Sequence, residues 1–101
     1  MKVIEHLVNG EIVSMGDPTQ DVFNPSTGEV SKQVALATKT TVEKAITAAQ
    51  DAFPAWRATP PLKRARIMFR FKELLEKNIN KIAQLIGEEH GKIAHDALGE
   101  V

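Results

Sequence analysis

A chain of 101 residues with thirteen basic and thirteen acidic side chains is one domain or less, with no net field to recruit nucleic acid or an anionic membrane. Cysteine is absent, which excludes disulfides, thiolate metal sites and thiol nucleophiles together. No run approaches the ~18 apolar residues of a membrane span, and Glu5 and Asn9 interrupt the first apolar stretch too early for a secretory signal. The expected address is therefore the cytoplasm.

The chain divides by composition. Residues 1–38 are rich in Val, Thr, Gly and Asn and read as strands and turns; residues 39–101 are rich in Ala, Leu, Ile, Lys, Arg and Glu and read as helices. Asn9-Gly10 lies between His6-Leu7-Val8 and Glu11-Ile12-Val13 and predicts a two-residue hairpin turn, which requires positive φ at both central positions. A looser stretch, Ser14 to Thr19 and including Met15, leads to Asp21-Val22-Phe23. Asn24-Pro25-Ser26-Thr27-Gly28 is a second turn, in which Pro fixes one φ and Gly supplies another. Val30 to Ala37 follows as a strand carrying Val30, Val34 and Leu36.

Thr40 to Phe53 has the clearest helical pattern. Thr40 and Glu43 match a capping box, Val42, Ile46, Ala49 and Phe53 form one stripe, and Pro54 is expected to end or bend the helix. Thr59-Pro60-Pro61 opens the next helix, with the Thr59 hydroxyl as cap. Ile67, Met68, Phe71, Leu74 and Leu75 fill one broad face there, and Leu62, Ala65 and Phe69 make a second stripe. That second stripe implies a further covering layer, from the same chain or a partner. A third helix carries Ile79, Ile82, Leu85 and Ile86 and stops at Gly91. No stop signal follows Val101, so the chain is expected to end inside an element. The fold class is thus α+β, with β-hairpins followed by about three helices.

Residues that carry chemistry are sparse. His6, His90 and His95 are the three histidines, and the His90–His95 spacing is not the i, i+4 of a zinc helix. No metal site is expected. Lys63, Arg66 and Arg70 share a helical face, but Glu73 and Glu76 follow at once, and such a stripe reads as a solvated or salt-bridged face. Ser14 and Ser26 lack any nucleophile-elbow context, and Gly10, Gly16 and Gly28 are too scattered for a phosphate loop or dinucleotide fingerprint. No catalytic, cofactor-binding or metal residue is assigned.

Several phrases, taken in order, resemble the aldehyde dehydrogenase superfamily: Val8-Asn9-Gly10, Asn24 to Val30 (NPSTGEV), Ala49 to Trp56 (AQDAFPAW), Arg64 to Ile67 and Glu89 to Lys92. Trp56 to Pro61 (WRATPP), Arg64 to Phe71 (RARIMFRF), Glu88 to Lys92 (EEHGK) and Asp96 to Val101 (DALGEV) make the chain most similar to the CoA-acylating methylmalonate-semialdehyde dehydrogenases. The resemblance runs from about His6 to Val101. It implies an NAD-dependent oxidoreductase with CoA as co-substrate, acting on methylmalonate or malonate semialdehyde and releasing carbon dioxide. A cysteine thiolate attacks the aldehyde in such enzymes, hydride passes to NAD, and the thioester is handed to CoA. The nucleophilic cysteine, the nicotinamide-binding residues and the oxyanion asparagine of that family match no position here. The resemblance therefore implies an N-terminal scaffold segment of the α/β NAD-binding domain, residues 1–101, inactive alone. Its expected partners are the remainder of the dehydrogenase chain and further copies in a homo-oligomer. Two rival readings are a free-standing interaction module docking through Leu62 and Phe69, and a truncated chain without function.

Overall fold

The computed structural model describes residues 2–14 and 16–101; Met15, within the looser stretch, lies outside the described residues. Nine elements follow in chain order: β1 (Val3–Ile4), β2 (His6–Val8), β3 (Glu11–Val13), β4 (Thr19–Phe23), β5 (Val30–Ala35), α1 (Lys39–Ala58), α2 (Pro61–Lys77), α3 (Ile79–His90) and α4 (Ala94–Glu100). This is an α+β segment. The elements gather into two compact units, Met1–Val22 with Val30–Ala58, and Phe23–Glu29 with Thr59–Val101.

In the first unit β2 and β3 pair antiparallel, with His6 opposite Val13, Leu7 opposite Ile12 and Val8 opposite Glu11. Asn9 and Gly10 hold φ of 52° and 77°, the positive pair that lets a two-residue turn match the strand twist. The second sheet has the order β1-β5-β4. The Asn24 N–H donates to the Glu29 carbonyl and the Leu36 N–H to the Pro18 carbonyl, the opposed order of an antiparallel pair. β1 adds in parallel on the other side of β5, placing Val3 opposite Gln33 and Ile4 opposite Val34. The local pattern held no sign of that strand, because its partner lies about thirty residues away. Ala35 is buried in this sheet, whereas Leu36, just past the strand, is exposed.

α1 corrects one expectation and narrows another. Its cap is Thr38: the Thr41 N–H donates to Thr38 Oγ1 at 3.3 Å and the Val42 N–H to the Thr38 carbonyl at 3.0 Å. The capping box expected from Thr40 is displaced by two residues, and Glu43 faces Lys39 instead, at 3.8 Å. Pro54 sits inside α1, which runs on to Ala58. Proline removes the bond to the carbonyl four residues back, here that of Gln50, which water reaches because Gln50 is exposed.

In the second unit the Asn24 turn is closed by its own side chain, Oδ1 accepting the Ser26 N–H at 2.9 Å, while the Asn24 carbonyl accepts the Gly28 N–H at 2.8 Å. Pro60, not Thr59, occupies the N-cap of α2, with no side-chain bond capping that position. Its carbonyl accepts the Arg64 N–H at 3.1 Å. Asn78 separates α2 from α3 by donating its side-chain amide to the Leu74 carbonyl at 2.8 Å. Gly91 ends α3 in the left-handed conformation, its N–H on the Gly87 carbonyl at 2.9 Å. A Cβ there would come within 3.1 Å of Pro25 Cγ, so the Asn24 turn packs directly on this helix end. A fourth helix, α4, exceeds the three expected and packs on α3, burying Ala83 and Ala97. His90 and His95 therefore stand on different helices.

Candidate functional site

A nearly enclosed polar group of the first unit is the Asp17 carboxylate, which the sequence does not single out. Its side chain keeps 3% of its surface exposed. Oδ2 accepts the Thr41 hydroxyl at 3.0 Å, and the same oxygen lies 2.8 Å from His6 Nε2. Thr41, 4% exposed, is met in turn by Thr38 Oγ1 at 3.1 Å. Three segments converge here: β2 supplies His6, the loop before β4 supplies Asp17, and the first turn of α1 supplies Thr41. A carboxylate beside a helix N-terminus is favoured by the unpaired N–H groups and the helix dipole.

Chemically this is a tether and not a catalytic triad. A triad needs histidine between the carboxylate and the nucleophile. Here aspartate is central, so the Thr41 hydroxyl donates to the carboxylate directly and no histidine stands between them. Of the three histidines, only His6 thereby acquires a defined role; His90 ends α3 and His95 begins α4. Among the described residues no three His, Asp or Glu side chains converge as metal ligands would.

Beside the tether an open groove of about 630 Å³ runs between the β2–β3 hairpin and α1. Val8, Asn9 and Glu11 border it from the hairpin, and Lys44, Thr47 and Asp51 from the helix. The cross-strand pair Leu7 and Ile12 of the hairpin is about three-quarters exposed at both positions (75% and 74%).

The second unit presents apolar surface along α2, and an open cleft of about 470 Å³ between the Asn24 turn, α3 and α4, bordered by Ala83, Gln84, Lys92 and Leu98. Leu62 and Phe69 are 61% and 63% exposed, and on the other face Met68, Phe71 and Leu74 are exposed too, with Leu75 half-buried. α2 has no buried residue at all. Both stripes expected from the sequence are therefore laid out as read, and neither is covered by the described residues. Off the Lys63–Arg66–Arg70 stripe, Lys72 meets Glu76 at 3.5 Å, and Arg64 holds a buried Nε without a hydrogen-bond partner. Lys92 bonds Glu100 and ties the α3–α4 link to the end of α4. That hydrogen bond, with the Lys92 charge and a smaller contribution from His90, holds the Glu100 carboxyl below its ordinary range.

Among the described residues no glycine-rich dinucleotide fingerprint is formed. The strand-to-helix turn from β5 to α1 carries Leu36, Ala37 and Thr38 and no glycine, and the positive-φ glycines Gly10, Gly16, Gly28 and Gly91 all lie elsewhere. Within the Asn24 turn the Ser26 backbone N–H donates to Asn24 Oδ1, and Thr27 Oγ1 accepts the Glu29 N–H at 3.2 Å. No helix of the described residues is long and apolar enough to cross a membrane.

The model of the aldehyde dehydrogenase family matches residues 12–101. A malonate-semialdehyde dehydrogenase of Pseudomonas aeruginosa is 55% identical over all 101 residues, which cover 20% of its length. Malonate-semialdehyde dehydrogenase 2 of Bacillus cereus is 44% identical over 99% of this chain and 21% of its own. Among solved structures, a methylmalonate-semialdehyde dehydrogenase of Oceanimonas doudoroffii superimposes with a TM-score of 0.95 at 65% identity, over 99% of this chain and 20% of that one. A Sinorhizobium meliloti protein assigned to the same enzymes and complexed with NAD gives 0.94 at 38%, over 100% and 21%. The chain spans about a fifth of the length of these relatives.

Proposed function

The chain belongs to the aldehyde dehydrogenase family, and from that membership we propose that it is a scaffold segment of the cofactor-binding domain of an NAD-dependent, CoA-acylating dehydrogenase for malonate or methylmalonate semialdehyde. The observation that carries the reading is the 0.95 superposition at 65% identity on a methylmalonate-semialdehyde dehydrogenase, maintained over 99% of the chain. The uncovered faces of α2 support it, since a segment that lines a larger domain keeps apolar side chains for neighbours it does not itself contain. The rival module docking through Leu62 and Phe69 is not favoured, because the likeness to dehydrogenases runs along the whole chain.

The reaction couples aldehyde oxidation to thioester formation, and its covalent step needs a thiolate that this cysteine-free sequence does not carry. NAD supplies the hydride acceptor when bound, on residues beyond these. What this segment contributes is position. The Asp17 tether fixes the hairpin against the start of α1, and Gly91 with the Asn24 turn fixes the α3–α4 pair. The complete enzyme is expected to be cytoplasmic and a homo-oligomer.

The test is an assay of the whole dehydrogenase with malonate and methylmalonate semialdehyde, following NADH absorbance and acyl-CoA by mass spectrometry. NADH and acyl-CoA formed together, dependent on CoA, support the reading. NADH with a free acid as product, whatever the CoA concentration, rejects the CoA-acylating assignment.

A further inference from the structure

We propose that Asn9-Gly10 is a site of spontaneous covalent modification, at which Asn9 converts to aspartyl and isoaspartyl forms and so releases the β2–β3 hairpin from α1. The chemistry consumes only water. The Gly10 backbone nitrogen forms a bond to Asn9 Cγ, the Cγ–Nδ2 bond breaks, and ammonia leaves with the displaced proton. Water then opens the five-membered imide at either carbonyl, giving Asp or isoAsp at position 9. No oxidant or reductant enters.

Four asparagines are present, and the structure separates one from the rest. Asn24 precedes Pro25, which has no N–H to attack with, and its Oδ1 is held by the Ser26 N–H at 2.9 Å. Asn78 donates its amide to the Leu74 carbonyl at 2.8 Å and precedes the β-branched Ile79 at the start of α3. Asn80 lies within α3, where the backbone is fixed by helical bonding. Asn9 is exposed at a hairpin tip, outside the ladder that ends at Val8 and Glu11. The next residue carries no side chain, and nothing lies within 4 Å of where a Cβ of Gly10 would stand. Ring closure needs the turn to open transiently. A two-stranded ribbon with three residues on each strand frays readily.

Placement gives the change a consequence. Asn9 borders the groove between the hairpin and α1, together with Glu11, Glu43, Lys44 and Asp51. A new carboxylate there adds to Glu11 on the hairpin side and faces Glu43 and Asp51 on the helix, where Lys44 is the one lysine of the lining, and so repels the helix side. The isoaspartyl form also adds a methylene to the main chain at the turn, which breaks the register from Val8–Glu11 inwards.

The test ages the purified whole protein in mildly alkaline buffer, then maps peptides by mass spectrometry and labels isoaspartate with its methyltransferase. The expected result is conversion at Asn9 at least roughly tenfold beyond Asn78 and Asn80, slowed by Gly10→Ala, where a side chain obstructs the approach. Because Gly10→Ala also strains the turn, Asn9→Ser serves as the second variant. Aged Asn9→Ser protein should keep hydrogen-exchange protection in β2 and β3, and aged native protein should lose it. Equal conversion at all three asparagines, or unchanged hairpin protection after Asn9 has converted, overturns the proposal.

Discussion

Thr41 donates its hydroxyl to Asp17 across twenty-four positions of sequence, at 3.0 Å and almost out of contact with water. The bond joins the first turn of the longest helix to the loop that feeds β4, and His6 extends it to the hairpin. A buried carboxylate with two partners is costly to leave with one, since the lost bond is not replaced by water.

Thr41→Val therefore removes a hydroxyl at nearly constant volume and is expected to cost about 1–3 kcal/mol in the whole enzyme. Denaturant titration checks the magnitude. A loss no greater than that of a surface Thr→Val control would place the Asp17 carboxylate in water. Thr41→Ser, which keeps the donor, should recover most of the stability.

The two faces of α2 give a comparison between contexts. Phe71 is 52% exposed in this chain, so Phe71→Ala is expected to change its helicity little. In the whole enzyme, with the face covered, the same substitution should cost about 3–5 kcal/mol. Reversible unfolding of both forms measures the difference; equal small losses would mean that nothing packs on Phe71.

The Lys92–Glu100 bond carries a pH dependence whose sign follows from the lowered Glu100 carboxyl. A carboxyl depressed in the folded state contributes stability above its unfolded value and loses it as pH falls through its folded value. Amide protection in α4 should accordingly weaken on acidification within and below the ordinary carboxylate range. Lys92→Met should remove that acid-sensitive step while leaving α3 unaffected. Persistence of the step in Lys92→Met would assign it to another carboxylate.

Alone, the chain is expected to self-associate or lack a fixed fold, since Leu7, Ile12, Leu62, Phe69 and Phe71 all stand more than half exposed. The hairpin edges add unpaired backbone groups to the same surface. Amide dispersion by NMR, with sedimentation for mass, decides; a dispersed spectrum from a compact monomer would contradict this expectation. Circular dichroism is the wrong instrument, because α1 can remain helical without a native core.

How far the sequence could be read follows the range of the forces. Asn9-Gly10 announces its hairpin because the constraint is one of φ at two adjacent residues. Gly91 stops α3 for the same local reason, and the stripes of α2 need only helical periodicity. Pro54 leaves two outcomes open in sequence, an end or a bend, and the ending is excluded only by seeing α1 run on to Ala58. Thr38, Thr40 and Thr41 offer three hydroxyls for one cap, and sequence cannot choose among them. The choice is made by Asp17, which captures Thr41 and leaves Thr38 to cap. The parallel pairing of β1 and the His6–Asp17 contact are likewise long-range facts with no local signature.

Among the described residues the buried hydrophobic side chains are Ala35, Ala83 and Ala97, each ending at a single methyl group. Heat-capacity change and denaturant sensitivity both scale with the apolar surface newly wetted on unfolding. Melting this chain by itself wets little that was dry, so its calorimetric transition should be shallow and broad, with a weak dependence on urea. Were the faces of α2 covered in a whole dehydrogenase, as proposed, the same side chains would begin dry. The segment's share of the cooperative melt is thus a property it acquires from its surroundings, through methylene and aromatic carbon that its own fold leaves wet.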